Sequence, residues 1–286
     1  MADVPDLVST EWLAEHLADA DVRVLDGSWW MPGSGHDPGA EWRTARIRGA
    51  RFFDIDRIAD PSRSLPHMLP SERVFADALA AFGIGAGDHV IVYDAAGLFS
   101  APRVWWTFRA FGFDRVSVLD GGLPKWRREV RPIESGAMAA APSPVRRFAP
   151  RLDRRWLRTF DEMHANIDSG TETVLDARSA ARFAGTEPEP RPGLRGGHIP
   201  GSKNLPFGEL VNPESGTLRP LAHLAESFAK LDVHDRTPVV CTCGSGLTAA
   251  IVALALHRLG GRSIAVYDGS WAEWGMRDDV PVATGS

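Results

Sequence analysis

Short apolar runs alternate along the chain with longer stretches in which apolar residues recur every three or four positions. Residues 22–26, 90–93 and 115–119 in the first half, and 174–176, 238–241 and 263–267 in the second, are rich in Val, Ile and Leu. Such runs read as strands buried on both faces. Between them, Ser71 opens a helix that carries Phe75, Leu79 and Phe82 and stops at Gly83. Residues 102–111, 221–231 and 247–259 read as further helices, the last ended by Gly260-Gly261. Strand–helix alternation predicts an α/β fold, with a mainly parallel sheet and helices on both faces. In such sheets ligands bind beyond the carboxyl ends of the strands.

The pattern repeats. Val22-Arg23-Val24-Leu25-Asp26 returns as Glu172-Thr173-Val174-Leu175-Asp176, 150 residues later. Arg46-Ile47-Arg48-Gly49-Ala50 returns as His198-Ile199-Pro200-Gly201-Ser202, 152 residues later. Val118-Leu119-Asp120-Gly121-Gly122, with Trp126 beyond it, returns as Val266-Tyr267-Asp268-Gly269-Ser270, with Trp274 beyond it, 148 residues later. Three ordered matches at nearly one offset predict two copies of one domain, 1–132 and 151–286. Residues 133–150, with Ala139-Ala140-Ala141 and Pro142-Ser143-Pro144, lack the periodicity and read as a linker.

Composition narrows the function classes. Lys plus Arg number 32 against 37 Asp plus Glu, a net charge of −5, which argues against a broad grip on nucleic acid or an anionic membrane. The N-terminal residues show neither a basic region nor an apolar one, and the apolar run 247–256 is too short to span a bilayer, so a cytoplasmic location is expected. Two cysteines, Cys241 and Cys243, are too few for a disulfide framework or a four-cysteine zinc site. The histidines show no ligand spacing, so no metal and no cofactor are expected. The ten tryptophans, Trp105-Trp106, Trp271 and Trp274 among them, read as core.

The chemistry concentrates where the strand 238–241 ends. Cys243-Gly244-Ser245-Gly246-Leu247-Thr248 makes a strand-to-helix turn, where loop amides and a helix N-terminus favour an anion. A thiol there is biased toward the nucleophilic thiolate. Cys241, inside the strand, reads as a buried small hydrophobe. A cysteine phosphatase would need Arg six residues after its cysteine, and that position is Ala249. A nucleotide-binding loop would need a third glycine or a lysine, and has neither. A sulfur-transfer site needs an attacking thiolate and amides to hold a persulfide anion, and the loop offers both.

These residues resemble those of the tandem-domain rhodaneses, and among them the 3-mercaptopyruvate sulfurtransferase family, whose loop reads Cys-Gly-Ser-Gly-Val-Thr. Thiosulfate-specific relatives carry cationic residues in this loop, which are absent here. Phe52-Phe53-Asp54-Ile55-Asp56, His67-Met68-Leu69-Pro70, Gly97-Leu98-Phe99-Ser100-Ala101-Pro102-Arg103, Gly197-His198-Ile199-Pro200-Gly201 and Tyr267-Asp268-Gly269-Ser270-Trp271 extend the resemblance over nearly the whole chain.

The resemblance implies that Cys243 takes sulfane sulfur from 3-mercaptopyruvate, releases pyruvate and passes the sulfur to a thiol, cyanide or thioredoxin. Thiosulfate as donor, or a non-enzymatic sulfur-carrier or redox-sensing role for the cysteine pair, are the alternatives. Gly244, Gly246, Leu247 and Thr248 would cradle the donor, with Thr248 bracing the loop through its hydroxyl. Arg182 and Arg191 would clamp the donor's carboxylate and carbonyl, or else pair on the surface with Glu187 or Glu189. Ser245, with His67 and Asp56 as a pair from the N-terminal domain, would relay the proton, unless His67 is a structural loop residue and Asp56 a cap. The first copy is expected to be inactive: an offset of 148 puts Ala95 where Cys243 would be. The fold and composition allow a monomer.

Overall fold

In the computed structural model, residues 4–138, 140 and 147–285 are described. The chain forms two compact units. The first comprises residues 1–61, 69–152 and 213–218, the second 62–68, 153–212 and 219–286. Each is built on a five-stranded, all-parallel sheet. In the first unit the strands run in the order Leu7–Val8, Val116–Leu119, His89–Tyr93, Val22–Asp26, Arg51–Phe52. The second runs Leu157–Arg158, Ile264–Tyr267, Val239–Thr242, Thr173–Asp176, Lys203–Asn204. The two orders are the same, so the repeat seen in sequence is a repeat of topology.

The central strands lie where the apolar runs place them, and nearly all their residues are buried. The edge strands are only two residues long and carry no periodic signal of their own. A separate antiparallel pair joins Arg46–Ile47 to Ile133–Glu134. The segment read as a linker is thus tied to the first unit at its start, and again near its end, where Phe148 packs edge-on against Phe113. Ala139 and residues 141–146 of that segment lie outside the described residues.

Helix ends follow local chemistry. Glu72–Phe82 is capped by Ser71, whose hydroxyl accepts the Val74 N–H, and ends at Gly83 in the left-handed region. Thr159 and Glu162 close a capping box on Phe160–Ser169. The helix expected over 247–259 begins only at Ala249, because 243–248 is spent on the loop. Leu13, Ile91, Tyr93, Leu119 and Trp126 form much of one core; Met163, Val240, Tyr267, Trp271 and Trp274 form the other. Trp105, Trp106, Trp271 and Trp274 are all at most 1% exposed, so their large apolar faces serve packing. No helix among the described residues is long and apolar enough to cross a membrane.

Candidate active site

Cys243 follows the central strand Val239–Thr242 and precedes the helix Ala249–Arg258. It is 2% exposed. Its N–H donates to Ser270 Oγ at 3.2 Å, and its carbonyl accepts the Trp271 N–H at 3.0 Å. The Gly244 carbonyl accepts the Ala272 N–H at 2.8 Å. These bonds hold the loop from one side. Among the described residues, the amides of Gly244, Ser245, Leu247 and Thr248 have no protein acceptor. Successive free amides form a nest that suits an anion. Ser245 and Leu247 are buried beside Cys243. Gly246 is buried too, at φ +76°. Thr248 occupies the N-cap, yet its hydroxyl makes no capping bond, so the bracing expected of it is absent there. Cys241 differs from its neighbour. Burial, with the charge of Cys243 second, pushes its thiol far above the ordinary range. Both cysteines are free thiols.

Arg182 reaches this loop from the adjacent strand's exit. It sits in the short helix Ala180–Ala184, capped by Ser179. A Cβ built on Gly244 would lie 2.9 Å from Arg182 Nη2, so the guanidinium closes on the loop at this glycine and would have to shift to make room for a side chain there. The Nε–Nη2 edge of the same guanidinium is held by Glu189, with Nη2 to Oε2 at 2.5 Å and Nε to Oε1 at 3.2 Å. Glu189 also accepts Arg178 Nη1 at 2.8 Å, and Arg178 Nη2 donates to Asp176 Oδ2 at 2.6 Å. Sequence reasoning offered the Glu189 pair as a surface alternative to donor binding. It is instead a part-buried pair that aims Arg182 at the loop, with the Glu189 side chain only 2% exposed. Glu187 takes the Ser179 hydroxyl instead. Asp176, Arg178, Glu189 and Arg182 alternate in charge, two of each sign, so the row adds little net cationic field.

Arg191 is half-buried further along the same loop. His67, expected in the N-terminal domain, belongs instead to the same unit as Cys243, because residues 62–68 pack with the second unit; it is 4% exposed and holds φ +60°. Asp56 belongs to the other unit, where its carboxylate accepts the Trp29 indole N–H at 2.8 Å. Among the described residues no three His, Cys, Asp or Glu side chains gather as metal ligands. Glu189, Arg178 and Ser270 are absent from the sequence-derived set. Ser270 lies inside the Tyr267–Trp271 motif, but nothing in the motif says which atom it touches.

The rhodanese-like domain model matches residues 9–129 and again 159–277. The chain belongs to the rhodanese family. It is 45% identical to thiosulfate/3-mercaptopyruvate sulfurtransferase 2 of Arabidopsis thaliana, over 98% of this chain and 87% of that one. It is 43% identical to human 3-mercaptopyruvate sulfurtransferase, over 95% and 92%. Among solved structures it is similar to SseA from Escherichia coli, described with the 3-mercaptopyruvate sulfotransferases, at TM-score 0.84 and 38% identity over 94% of this chain and 99% of that one.

The first rhodanese domain shows what its own loop became, and corrects the alignment of the two copies. Asp26 pairs with Tyr93 in one sheet, and Asp176 with Thr242 in the other. The next residues, Asp94 and Cys243, are therefore equivalent. The hydrogen bonds agree: Leu123 N–H donates to the Asp94 carbonyl at 3.0 Å, as Trp271 N–H does to Cys243. The nucleophile's place is taken by Asp94, not Ala95, because the first loop is one residue longer. Asp94 is fully buried, and its carboxylate accepts the amides of Ala96, Gly97, Phe99, Ser100 and Ala101 at 2.8–2.9 Å. A rhodanese loop thus encloses an anion at this position. In the first domain the anion is built in; in the second the loop amides named above are unclaimed.

Gly122 packs under that filled loop at φ +52°, and a Cβ on it would lie 2.5 Å from the Asp94 carbonyl oxygen and 2.6 Å from that of Gly97. Both contacts are with backbone and cannot yield. Gly122→Ala is expected to destabilise by about 2–3 kcal/mol, lowering Tm by roughly 5 °C or more in thermal unfolding. An unchanged Tm would refute the tight fit.

Proposed function

We propose that this chain is a sulfurtransferase that moves the thiol sulfur of 3-mercaptopyruvate to a thiol acceptor through a persulfide on Cys243. The observation that carries the reading is the closure of a carboxylate-aimed guanidinium, Arg182, on an unclaimed amide nest beside a cysteine. The human relative carries the name of that activity.

The Cys243 thiolate attacks the donor sulfur. A sulfur–sulfur bond forms, the carbon–sulfur bond breaks, and its electron pair leaves on the enolate of pyruvate. The persulfide gives up the proton that the donor thiol carried, and the anion that remains is held by the loop amides. Arg182 and Arg191 bind the donor's carboxylate and carbonyl, the planar fork matching two oxygens at once. The enolate carbon then takes a proton, and we assign its delivery to Ser245 and His67. Asp56 as a third member of the relay is part of the proposal. The acceptor thiolate attacks the outer sulfur, and Cys243 returns to its starting state. The acceptor is a thiol, small or carried on a protein such as thioredoxin.

The charge row beside the loop gives no surplus cation for a dianion, so a monoanionic keto acid fits better than thiosulfate. The test is the ratio of kcat/KM for the two donors, read by pyruvate release and by sulfur delivered to cyanide. We expect 3-mercaptopyruvate to lead by at least about tenfold, the worth of one charge-assisted hydrogen bond. A ratio favouring thiosulfate would assign the other donor to the same cysteine.

A further inference from the structure

We infer that Ser270 is a positioning residue for the nucleophile, kept at a strained backbone position so that its hydroxyl can fix the Cys243 amide. This rests on Cys243 being the nucleophile. Ser270 is fully buried and holds φ +50°, a left-handed conformation that disfavours every side chain with a Cβ. Serine is not among the residues that tolerate it best. The repeat supplies an internal control. The matching position in the first rhodanese domain is Gly122, at φ +52°. The backbone is the same in both copies, and glycine is the residue that adopts it without strain. The copy with the cysteine carries a side chain at this point, and its twin carries none.

What the side chain does is explicit. Ser270 Oγ donates to the Tyr267 carbonyl at 2.8 Å and accepts the Cys243 N–H at 3.2 Å. The hydroxyl therefore links the end of the strand Ile264–Tyr267 to the first amide of the loop. The neighbouring Trp271 N–H takes the Cys243 carbonyl at 3.0 Å. Both peptide groups of the nucleophile are tied to one short segment, and only the Ser270 bond depends on a side chain. In the first domain a side chain has no room, because Asp94 and Gly97 carbonyls close on Gly122. Strain retained where the cysteine lies and absent where it does not marks a functional constraint.

The test compares Ser270→Ala, which keeps the strain and loses the hydroxyl, with Ser270→Gly, which loses both. Steady-state kinetics with 3-mercaptopyruvate and with thiosulfate, and Tm, are measured for each. We expect kcat to fall in both variants on the order of 10- to 100-fold, the effect of a misplaced reacting group, with KM within about twofold. The fall should be alike for both donors, since it concerns the attacking sulfur. Tm of the glycine variant should lie above that of the alanine variant. Wild-type kcat in Ser270→Gly would overturn the inference, since the hydroxyl would then be dispensable. So would recovery of kcat in glycine over alanine, which would make backbone strain the only issue. A glycine variant that fails to fold would also overturn it, giving the side chain a structural task. Turnover that survives Cys243→Ser would instead overturn the proposed function, so the two failures are distinct.

Discussion

Cys243→Ser should abolish sulfur transfer, with kcat lowered at least about 10⁴-fold, while Cys241→Ser keeps it within roughly fivefold. The two thiols are two residues apart, and their surroundings separate them. Cys241 lies within the strand Val239–Thr242, where burial pushes its thiol up and disfavours the thiolate. Cys243 stands at the strand's end, in a loop where, among the described residues, the amides of Gly244, Ser245, Leu247 and Thr248 have no protein acceptor. Serine in its place retains the hydrogen-bonding shape and loses the nucleophile, so the change isolates chemistry from folding. Pyruvate release gives the rate. A gain of one sulfur atom in the mass of donor-treated protein, present in Cys241→Ser and absent in Cys243→Ser, identifies the carrier. Equal loss in both variants would remove the assignment.

Arg182→Ala should raise KM for 3-mercaptopyruvate about 10- to 100-fold, and far more than KM for thiosulfate. The guanidinium is aimed by Glu189 and closes on Gly244, and the α-keto acid offers it a planar pair of oxygens. Arg182→Lys should recover little, since a point charge cannot span two oxygens or keep both bonds to Glu189. The measurement is the ratio of the two KM values in each variant. A ratio equal to that of the parent protein would show that Arg182 does not sense the keto acid.

Much of this was legible from the residues alone. The three central strands of each sheet announce themselves as apolar runs, and Ser71 and Gly83 bracket their helix through caps that depend only on neighbours in the chain. The edge strands Leu7–Val8, Arg51–Phe52, Leu157–Arg158 and Lys203–Asn204 were not legible, since two residues cannot display a period and exist only because a partner strand supplies their hydrogen bonds. In the site, Cys243 and its glycines form one contiguous motif and could be read directly. Glu189 could be seen only as a possible surface partner of Arg182, because burial is a property of what packs on top of it.

The sequence by itself determined the duplication, the parallel α/β architecture and the loop that carries the nucleophile, because strand periodicity, caps and glycine turns act over a few neighbouring residues. The tertiary structure decided what stands opposite what. A constant offset pointed to Ala95, but the ladder pairing Asp26 with Tyr93 and Asp176 with Thr242 puts Asp94 in the cysteine's place. A one-residue difference in loop length is invisible to periodicity, whereas hydrogen bonds between distant strands count residues one at a time. The same holds for Ser270, whose strain and whose bond to Cys243 arise only once two residues 27 positions apart in sequence are brought side by side.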